Sequence, residues 1–373
     1  MTMSEQVVRT EPVKQIASRI VNECLRVKTD EQVNIYSFPH TLDYANALAL
    51  EVEKAGGVSN MLLETDEFFW GYLSEVPENQ YARKQRAYLS LLEETDIQIG
   101  LGGPRDPTGF TKVPSERMAK MMEGEKEVED KLRALKVRYL GMPIGLVTPE
   151  RAKTYGFDYN QWRTSFSHAL NVDHSRISTL GRSVASKLEK AKNVRVTSPN
   201  GTDLKFKLAS RPVHVHDGIL DDTDVSHGTL EESLPSGTVE VAPEESSVEG
   251  KIVFDQPTAL MGRMLQGLQW TFTSGRLASY SAIANVDTFK GIYEKATGDK
   301  DRLASFTIGL NPNAALIGFY QDRIVMGTAS IGIGGNKSIG GNNQAQFGHE
   351  QSLRKPTVEL DGQKLIVDGK IQP

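Results

Sequence analysis

The sequence is poor in cysteine, in net positive charge and in long apolar runs, and each shortage excludes a class of protein. A single cysteine, Cys24, among 373 residues excludes an internal disulfide framework and favours a reducing compartment. The formal net charge of −5 predicts no broad cationic surface, so neither nucleic acid nor an anionic membrane is expected as a partner. No apolar run approaches the roughly 20 residues of a membrane-spanning helix.

The start of the chain is acidic, with Glu5 and Glu11, and it lacks the apolar segment of a signal peptide. The composition, 38% hydrophobic and 24% charged, is that of an ordinary soluble globular protein. We therefore expect a cytoplasmic protein.

The first half of the chain alternates between helical and strand patterns. Period-two alternation predicts strands at 30–36, 58–63, 95–101 and 137–141. A short helical crossover between successive strands predicts a parallel, open α/β sheet. The accompanying helices are predicted at 12–27, 43–54, 78–94, 113–135, 149–155, 158–174 and 175–192.

The pattern changes near residue 190. A turn at 199–201 joins two alternating runs, 194–197 and 203–208, and this predicts a hairpin. From there the chain is strand-rich, with helices predicted only at 283–298 and 259–263. We therefore predict two domains: 1–190, an α/β domain with a parallel open sheet, and 191–373, a strand-rich domain that carries the functional site.

The stretch 234–250, LPSGTVEVAPEESSVEG, contains an alternation that bears on function. In a strand, successive side chains point to opposite faces. Val239 and Val241 would then share a packed face, while Thr238 and Glu240 share the other. Glu240 is thus either on a solvated face or in a site, and the pattern alone leaves both readings open.

This stretch resembles the signature of the aminopeptidase T-like (thermophilic metalloprotease) family, roughly P-x-G-E-V-F-x-A-P-x-x-x-S-x-E-G. The resemblance implies an α/β amino-terminal domain followed by an α+β domain with a mixed, mostly antiparallel sheet. The metal-binding glutamate of the family falls on Thr238, and Glu240 is the nearest acid on that strand face, about 7 Å away. The matching residues are Pro235, Gly237, Val239, Ala242, Pro243, Ser247, Glu249 and Gly250.

Three further family motifs place the other ligands of a two-metal centre. The acid of the second motif falls on Ser305 and the imidazole of the third on Ser330, and hydroxyls are weak ligands for zinc. In the fourth motif only the acid remains, as Glu350, although a one-residue slip would put His349 in the place of the histidine. We therefore expect no metal cofactor, with Zn²⁺ or Fe²⁺ as the alternative. A related branch of the family cleaves dihydroxypyridine rings with one ferrous ion, and its ligands fail to match at Ser330 and Gly348.

The remaining histidines offer other chemistry. His214 and His216 would share one strand face beside Asp217, as a surface strand end, a metal-ligand pair or acid/base residues. His40 follows the first predicted strand, at the end where open α/β sheets bind ligands. His227 stands in an aspartate-rich loop and is expected at the surface.

These observations support a leading hypothesis and two alternatives. The leading hypothesis is a hydrolase of an amide, lactam or related bond in a small molecule, without the metal pair of the family. The alternatives are a metal-dependent aminopeptidase or ferrous dioxygenase, and a non-catalytic small-molecule-binding protein. The resemblance also implies a homodimer. The candidate catalytic residues are Glu240, His214, His216, Ser305, Ser330, His349 and Glu350, and the candidate substrate-binding residues are Thr238, His40, Asp217 and Thr328.

Overall fold

The structure is a computed structural model that describes residues 12–226 and 228–373, so His227 lies outside the described residues. Contacts divide the chain into two compact units. The first unit runs to Arg163 and also contains Gly218–Leu234. The second contains Thr164–Asp217 and Pro235–Pro373.

Most of the strands are short, and several follow one another with little intervening chain. In chain order they are β1 Gln32–Ser37, β2 Val58–Leu63, β3 Ile97–Gly100, β4 Arg138–Gly141, β5 Asn193–Ser198, β6 Thr202–His216, β7 Glu231–Ser233, β8 Thr238–Pro243, β9 Glu249–Val253, β10 Thr258–Leu260, β11 Arg263–Leu265, β12 Gln269–Thr273, β13 Arg276–Ser281, β14 Leu303–Gly309, β15 Ala329–Gly334, β16 Gly348–Leu353, β17 Thr357–Leu360, β18 Gln363–Val367 and β19 Lys370–Ile371.

Most of the longer helices precede residue 191. Residues 12–19 are helical and continue into a π-helical turn, Ile20–Cys24. The other α-helices are Leu42–Lys54, Asp66–Glu75, Arg86–Glu93, Ser115–Leu135, Pro149–Tyr155, Tyr159–Leu170, His174–Lys190, Asp222–Ser226 and Val286–Tyr293. Short 3-10 turns lie at Pro39–Thr41, Glu78–Gln80, Pro107–Thr111, Ile144–Leu146, Tyr320–Ile324 and Lys337–Ile339. No helix in the described residues is both long enough and apolar enough to cross a membrane.

The first unit contains the predicted parallel sheet, in the order β2-β1-β3-β4-β7. One face is apolar, and Val33, Ile35, Ile97 and Ile99 on it are fully buried. The edge strand β7 was not predicted in this unit, because it comes from the segment after residue 217 that the strand-rich pattern assigned to the second domain. It pairs in parallel with β4 and completes the sheet.

The second unit is built on a large antiparallel sheet. Its main path is β16-β15-β14-β8-β6-β5-β17-β18-β19, and β9, β12 and β13 branch from it. One apolar core lies against it, to which helix His174–Lys190 contributes Val184 and Leu188. The α/β unit and the mostly antiparallel unit confirm the predicted fold class.

One prediction of local structure needs correction. The segment 259–263, predicted as helical, forms the hairpin β10–β11 instead. Its turn residues Met261 and Gly262 both have positive φ, +45° and +80°, as tight hairpin turns require. The division into units also differs from the predicted boundary near 190. Helix His174–Lys190 groups with the second unit because it packs on β6, and Gly218–Leu234 returns to the first.

Candidate functional site

A row of polar side chains crosses five neighbouring strands of the second unit. In the register of the sheet, His214 of β6 pairs with Glu240 of β8, and Glu240 pairs with Thr307 of β14. The row continues through Ser330 of β15 to Ser352 of β16. Directly paired residues lie on the same face of a sheet, so these five side chains share one surface.

The alternation of each strand adds a second set to this polar face. Side chains two residues apart in a strand point the same way. His216 and Thr238 therefore join from β6 and β8, and they are register partners. Ser305 and Glu350 join from β14 and β16, both opposite Gly332 of β15. The alternating residues, among them Val239, Val241 and Phe306, turn to the apolar core. Each of these strands therefore has one polar face and one face that packs in the apolar core.

Arg323 lies between the two carboxylates of this face. Its Nη2 is 3.1 Å from Glu240 Oε2, and its Nε is 3.2 Å from Glu350 Oε1. The Nε contact is an ion pair without the alignment of a hydrogen bond. Arg323 also donates a long hydrogen bond of 3.4 Å to the Thr307 hydroxyl. One guanidinium thereby faces β8, β14 and β16.

A short 3-10 turn, Tyr320–Ile324, presents Arg323 to the sheet. The carboxylate of the preceding residue, Asp322, accepts the backbone N–H groups of Ile317 and Gly318 at 2.7 and 2.9 Å. Asp322 is buried, so these bonds tie the turn to the loop before it. These hydrogen bonds fix the backbone of the turn, and the backbone in turn positions the Arg323 side chain.

The electrostatics of Glu240 follow from these neighbours. Burial by itself raises the pKa of Glu240, but His216 and Arg323 outweigh burial and lower the pKa to about 2. Only 8% of Glu240 is exposed, so an unpaired charge there would be costly. Glu240 is hence a carboxylate at neutral pH, and it serves better to orient or balance other groups than to take up a proton.

The hydroxyl groups of the face are engaged with one another and with Glu350. Ser305 donates to Glu350 Oε2 at 2.7 Å, and Thr307 donates to the same oxygen at 2.9 Å. Ser330 and Ser352 share a hydrogen bond of 2.8 Å and are both buried. Ser305 is thus beside a carboxylate base, whereas Ser330 is part of a buried hydroxyl pair.

The two histidines stand side by side at the β6 end of the face. Their rings are stacked, with centroids 6.4 Å apart. His216 Nε2 lies 3.6 Å from Glu240 Oε2, and about a third of the His216 side chain is exposed. Burial and the neighbouring His216 lower the pKa of His214, whose buried Nε2 has no hydrogen-bond partner among the described residues. His216 therefore combines a nearby carboxylate with partial access to solvent.

Several predicted site residues do not join this face. His349 is the main correction: adjacent strand residues point to opposite faces, so Glu350 faces the site while His349 lies in the core. There its ring packs on Trp270 and Phe289 at centroid distances of 5.9 and 5.4 Å. Burial lowers the pKa of His349 to about 4, so the imidazole is neutral at pH 7.

The remaining three predicted residues have local contacts elsewhere. His40 belongs to the first unit, where its Nε2 is 2.9 Å from the Gly145 carbonyl oxygen. Thr328 donates to the Val325 carbonyl at 2.8 Å and closes a turn. Asp217 follows β6, and its carbonyl oxygen is 2.7 Å from Nδ1 of His174.

Sequence reasoning missed Arg323 and Thr307. Thr307 had an available signal, because it lies two residues after Ser305 on the same strand and so shares its face. For Arg323 the signal was in the third motif, where the family pattern D-E-K aligns with Asp322-Arg323-Ile324 and an arginine stands in place of an acid. The reversal of charge at that position was the available signal for Arg323.

Three residues that match the family motifs, Gly250 of the first and Gly309 and Asn311 of the second, have structural roles. A Cβ on Gly250, whose φ is +110°, would lie 2.2 Å from the Asp203 carbonyl oxygen. A Cβ on Gly309 would lie 2.1 Å from that of Val325. The Asn311 side chain donates to the carbonyls of Ala169 and Ser236 at 3.0 and 2.8 Å. These residues hold the strands and turns, which is why they can match the family while ligand positions do not.

The polar face does not fit a two-metal centre. Such a centre needs several carboxylate or imidazole ligands. In the part of the chain that the structure describes, no three His, Cys, Asp or Glu side chains are grouped so as to hold a metal ion. His214, His216 and Glu240 are of the residue types that bind ferrous iron, two histidines and a carboxylate, but they are not grouped so as to hold a metal ion. The cation between Glu240 and Glu350 is the guanidinium of Arg323.

Comparison with known proteins places this geometry in context. The profile of the family described as thermophilic metalloprotease (M29) matches residues 9–301. No protein with a curated description matches the sequence significantly. The fold is similar to that of wild-type AmpT from Thermus thermophilus, with a TM-score of 0.74, 15% identity and coverage of 97% of this chain and 99% of the other. It is also similar to a 2,5-dihydroxypyridine dioxygenase from Pseudomonas putida, with a TM-score of 0.64, 13% identity and 96% coverage of both chains. At these identities the two structures show a shared fold.

Proposed function

This chain belongs to the thermophilic metalloprotease (M29) family, and from that premise we propose that it is a hydrolase of an amide, lactam or related bond in a small molecule, working without a metal pair. The observation that carries the proposal is the grouping of His216, Glu240 and Arg323 on one partly open face. It supplies a base, a group that orients the base, and a fixed cation.

The proposed reaction begins with His216. Its imidazole, oriented by the Glu240 carboxylate, takes a proton from a water molecule as the water oxygen bonds to the carbonyl carbon. The carbonyl π electrons move to oxygen, and Arg323 is the donor for the resulting oxyanion. The intermediate collapses as the C–N bond breaks, and the proton returns from His216 to the leaving nitrogen.

Glu350, Ser305 and Thr307 have a supporting part in this proposal. The two hydroxyls donate to one oxygen of Glu350, which places the other oxygen beside Arg323. Glu350 therefore orients the guanidinium from the side opposite Glu240. Ser305 as a nucleophile is less well supported, since its hydroxyl hydrogen bond is made to a carboxylate and not to an imidazole.

A panel of small amides tests the proposal, comprising amino-acid anilides, N-acyl amino acids and lactams. We expect turnover of at least one class, unchanged after dialysis against EDTA and 1,10-phenanthroline. His216→Ala should lower kcat at least about 100-fold, whereas His168→Ala, which removes an exposed histidine of the same unit, should leave kcat unchanged. Turnover that is lost on chelation and restored by Zn²⁺ or Fe²⁺ would instead support an aminopeptidase or a ferrous dioxygenase.

A second candidate function is non-catalytic binding of a small molecule. It is favoured by the way Arg323 already balances both carboxylates, since an arrangement that neutralises itself is also what a retained scaffold without chemistry would contain. Mass spectrometry of the purified protein distinguishes the two functions. A ligand that copurifies and is never converted, with no turnover across the panel, would replace the hydrolase proposal by this one.

We also propose a cytoplasmic homodimer, on the strength of the family resemblance and the single cysteine. Light scattering coupled to gel filtration gives the mass of the particle. We expect about twice the 41.2 kDa of one chain.

A further inference from the structure

The first unit contains a cavity of about 1050 Å³ over one face of its parallel sheet. Parallel sheets in α/β proteins are usually apolar on both faces. Here the two faces differ: one carries Val33, Ile35, Ile97 and Ile99, all fully buried. The other face lines the cavity with Tyr36 and Gln98, which alternate with these apolar residues. Tyr139 of β4, the register partner of Gln98, and Glu231 of β7, the register partner of Tyr139, also line it. The sequence therefore leaves this face polar and aromatic instead of filling it.

A glycine makes room for one of the rings of this cavity. A Cβ on Gly100 would lie 2.5 Å from the hydroxyl oxygen of Tyr139, well inside van der Waals contact. Any larger residue at 100 would displace the tyrosine. Gly100 is the last residue of β3 and the first of the run Gly100-Leu101-Gly102-Gly103. This glycine therefore leaves space for Tyr139 in the cavity, in addition to preceding the turn after β3.

Two carboxylates in the cavity have no cationic partner among the described residues. Tyr36 donates its hydroxyl to Glu64 Oε2 at 2.6 Å. Burial raises the pKa of Glu64. Burial, followed by the charges of Glu64 and Glu129, raises the pKa of Glu125, and no lysine or arginine opposes these effects. The cations of the lining, Arg83, Lys84 and Arg133, are all exposed, and Lys84 pairs with Glu127 at 3.2 Å. Part of Glu125 is also exposed, so burial acts on only part of its side chain.

Aromatic rings line the same cavity as these carboxylates. A cation over an aromatic face is attracted by the ring, and the attraction grows when water is excluded. Drug-sized ligands occupy cavities of roughly 300–1,000 Å³, and the volume of this cavity is just above that range. The rings in its lining are those of Tyr36, Phe38, Phe68, Phe69, Tyr72, Tyr88 and Tyr139.

We propose that this cavity binds an organic cation, a primary or quaternary ammonium group on an aromatic or aliphatic body. Glu64 and Glu125 provide the negative charge, and the rings of Tyr36, Tyr72 and Tyr139 provide cation–π and apolar contact. The lining of this cavity belongs to the first unit and includes no residue of the polar face, so this proposal does not depend on the hydrolase proposal.

Four probes of similar size test the proposal by isothermal titration calorimetry on the full chain at pH 7.5. Phenethylamine and benzyltrimethylammonium should bind. The neutral 2-phenylethanol should bind at least about tenfold more weakly, and 3-phenylpropionate should not bind at millimolar concentration. Equal affinity for phenethylamine and 2-phenylethanol, or no binding by either cation, would overturn the proposal.

Matched variants complete the test. Glu64→Gln and Glu125→Gln should each weaken phenethylamine binding about tenfold, and Glu75→Gln, at an exposed position of the same unit, should not weaken it. Thermal melts show whether each variant is folded. His216→Ala should leave the affinity for phenethylamine unchanged, so a failure of the hydrolase proposal does not affect this one. Unchanged affinity in both Glu64→Gln and Glu125→Gln would overturn the assignment of these carboxylates.

Discussion

The two units of this protein hold carboxylates in opposite electrostatic settings. In the second unit, Glu240 lies 3.1 Å from the guanidinium of Arg323 and 3.6 Å from the imidazole of His216. In the first unit, partial burial and the charge of Glu64 disfavour the charged form of Glu125, and no cation of the described residues favours it. The pKa of Glu240 is therefore lowered, and the pKa of Glu125 is raised.

This difference indicates what kind of partner each region is suited to. A carboxylate balanced by the chain itself needs no cation from outside, so the polar face of the second unit suits a neutral substrate with a polarisable carbonyl. A carboxylate without such balance gains most from a ligand that brings the positive charge. Charge balance within each unit is thus a better guide to the ligand than the number of acids present.

Removing Arg323 should leave the carboxylates of the polar face without a cation, as the two cavity carboxylates of the first unit are among the described residues. Of the changes that we predict, this one should lower the stability most. Arg323→Met leaves Glu240 and Glu350 without their cation, and we expect the free energy of unfolding to fall by about 2–4 kcal/mol at pH 7. Urea denaturation measures the loss. The matched control is Arg195→Met, which breaks an exposed arginine–aspartate pair and should lower the stability much less than Arg323→Met, because exposed ion pairs contribute little.

The same prediction has an internal check. Neutralising the two carboxylates as well, with Glu240→Gln and Glu350→Gln in the Arg323→Met background, should restore part of the lost stability, because the buried charges are then gone. If Arg323→Met costs no more than Arg195→Met, the guanidinium is not the cation that balances this face.

Glu240→Gln should show the pH dependence of a carboxylate with a lowered pKa. The folded pKa of about 2 lies below the unfolded value of 4.5, so the charged form contributes stability that is fully present above about pH 4.5. That stability is lost as the pH falls towards 2. We expect the variant to be less stable by about 1–3 kcal/mol at pH 7, and the difference to shrink below pH 4.5.

Unfolding free energies measured across pH 2–7 for wild type and Glu240→Gln test this expectation. Glu189→Gln, at an exposed position on helix His174–Lys190, is the control and should show no such trend. A difference between wild type and Glu240→Gln that stays constant down to pH 2 would contradict the proposed pairing with Arg323 and His216.

Local patterns predicted much of the scaffold and of the polar face. Alternation in 238–242 correctly separated Val239 and Val241, which are in the core, from the face of Glu240, because strand periodicity is a property of the chain itself. The parallel sheet was predicted for the same reason. The strand β7 was not predicted, because three residues are too few to show an alternating pattern. Its place in the sheet depends on pairing with β4.

The arrangement of charge could not be read in the same way. Arg323 reaches three strands from a 3-10 turn, and no spacing in the sequence encodes which strands a turn will face. His349 and Glu350 were both proposed for the site, although neighbours in a strand cannot share a face. Recognising 348–353 as a strand would have separated them. Side-chain partners across a sheet are tertiary facts, and they determine the chemistry here.

Glu125→Gln should give the smallest change, and its sign should be opposite to that of Glu240→Gln. Because the folded pKa of Glu125 is raised, its contribution to stability is fully present below the unfolded pKa of 4.5 and is lost as the pH rises. The variant should therefore be more stable than wild type at pH 7, by about 0.5 kcal/mol after allowance for solvent screening of a partly exposed group. The gain should vanish below about pH 4.

The ligand inferred for the cavity sharpens this last comparison. Phenethylamine at saturating concentration supplies the missing cation to wild type, so it should raise the melting temperature of wild type more than that of Glu125→Gln. The order of stability at pH 7 should then reverse, with wild type above the variant. A Glu125→Gln variant that is less stable than wild type without the probe would mean that Glu125 is already paired, and the contrast between the two units would no longer hold.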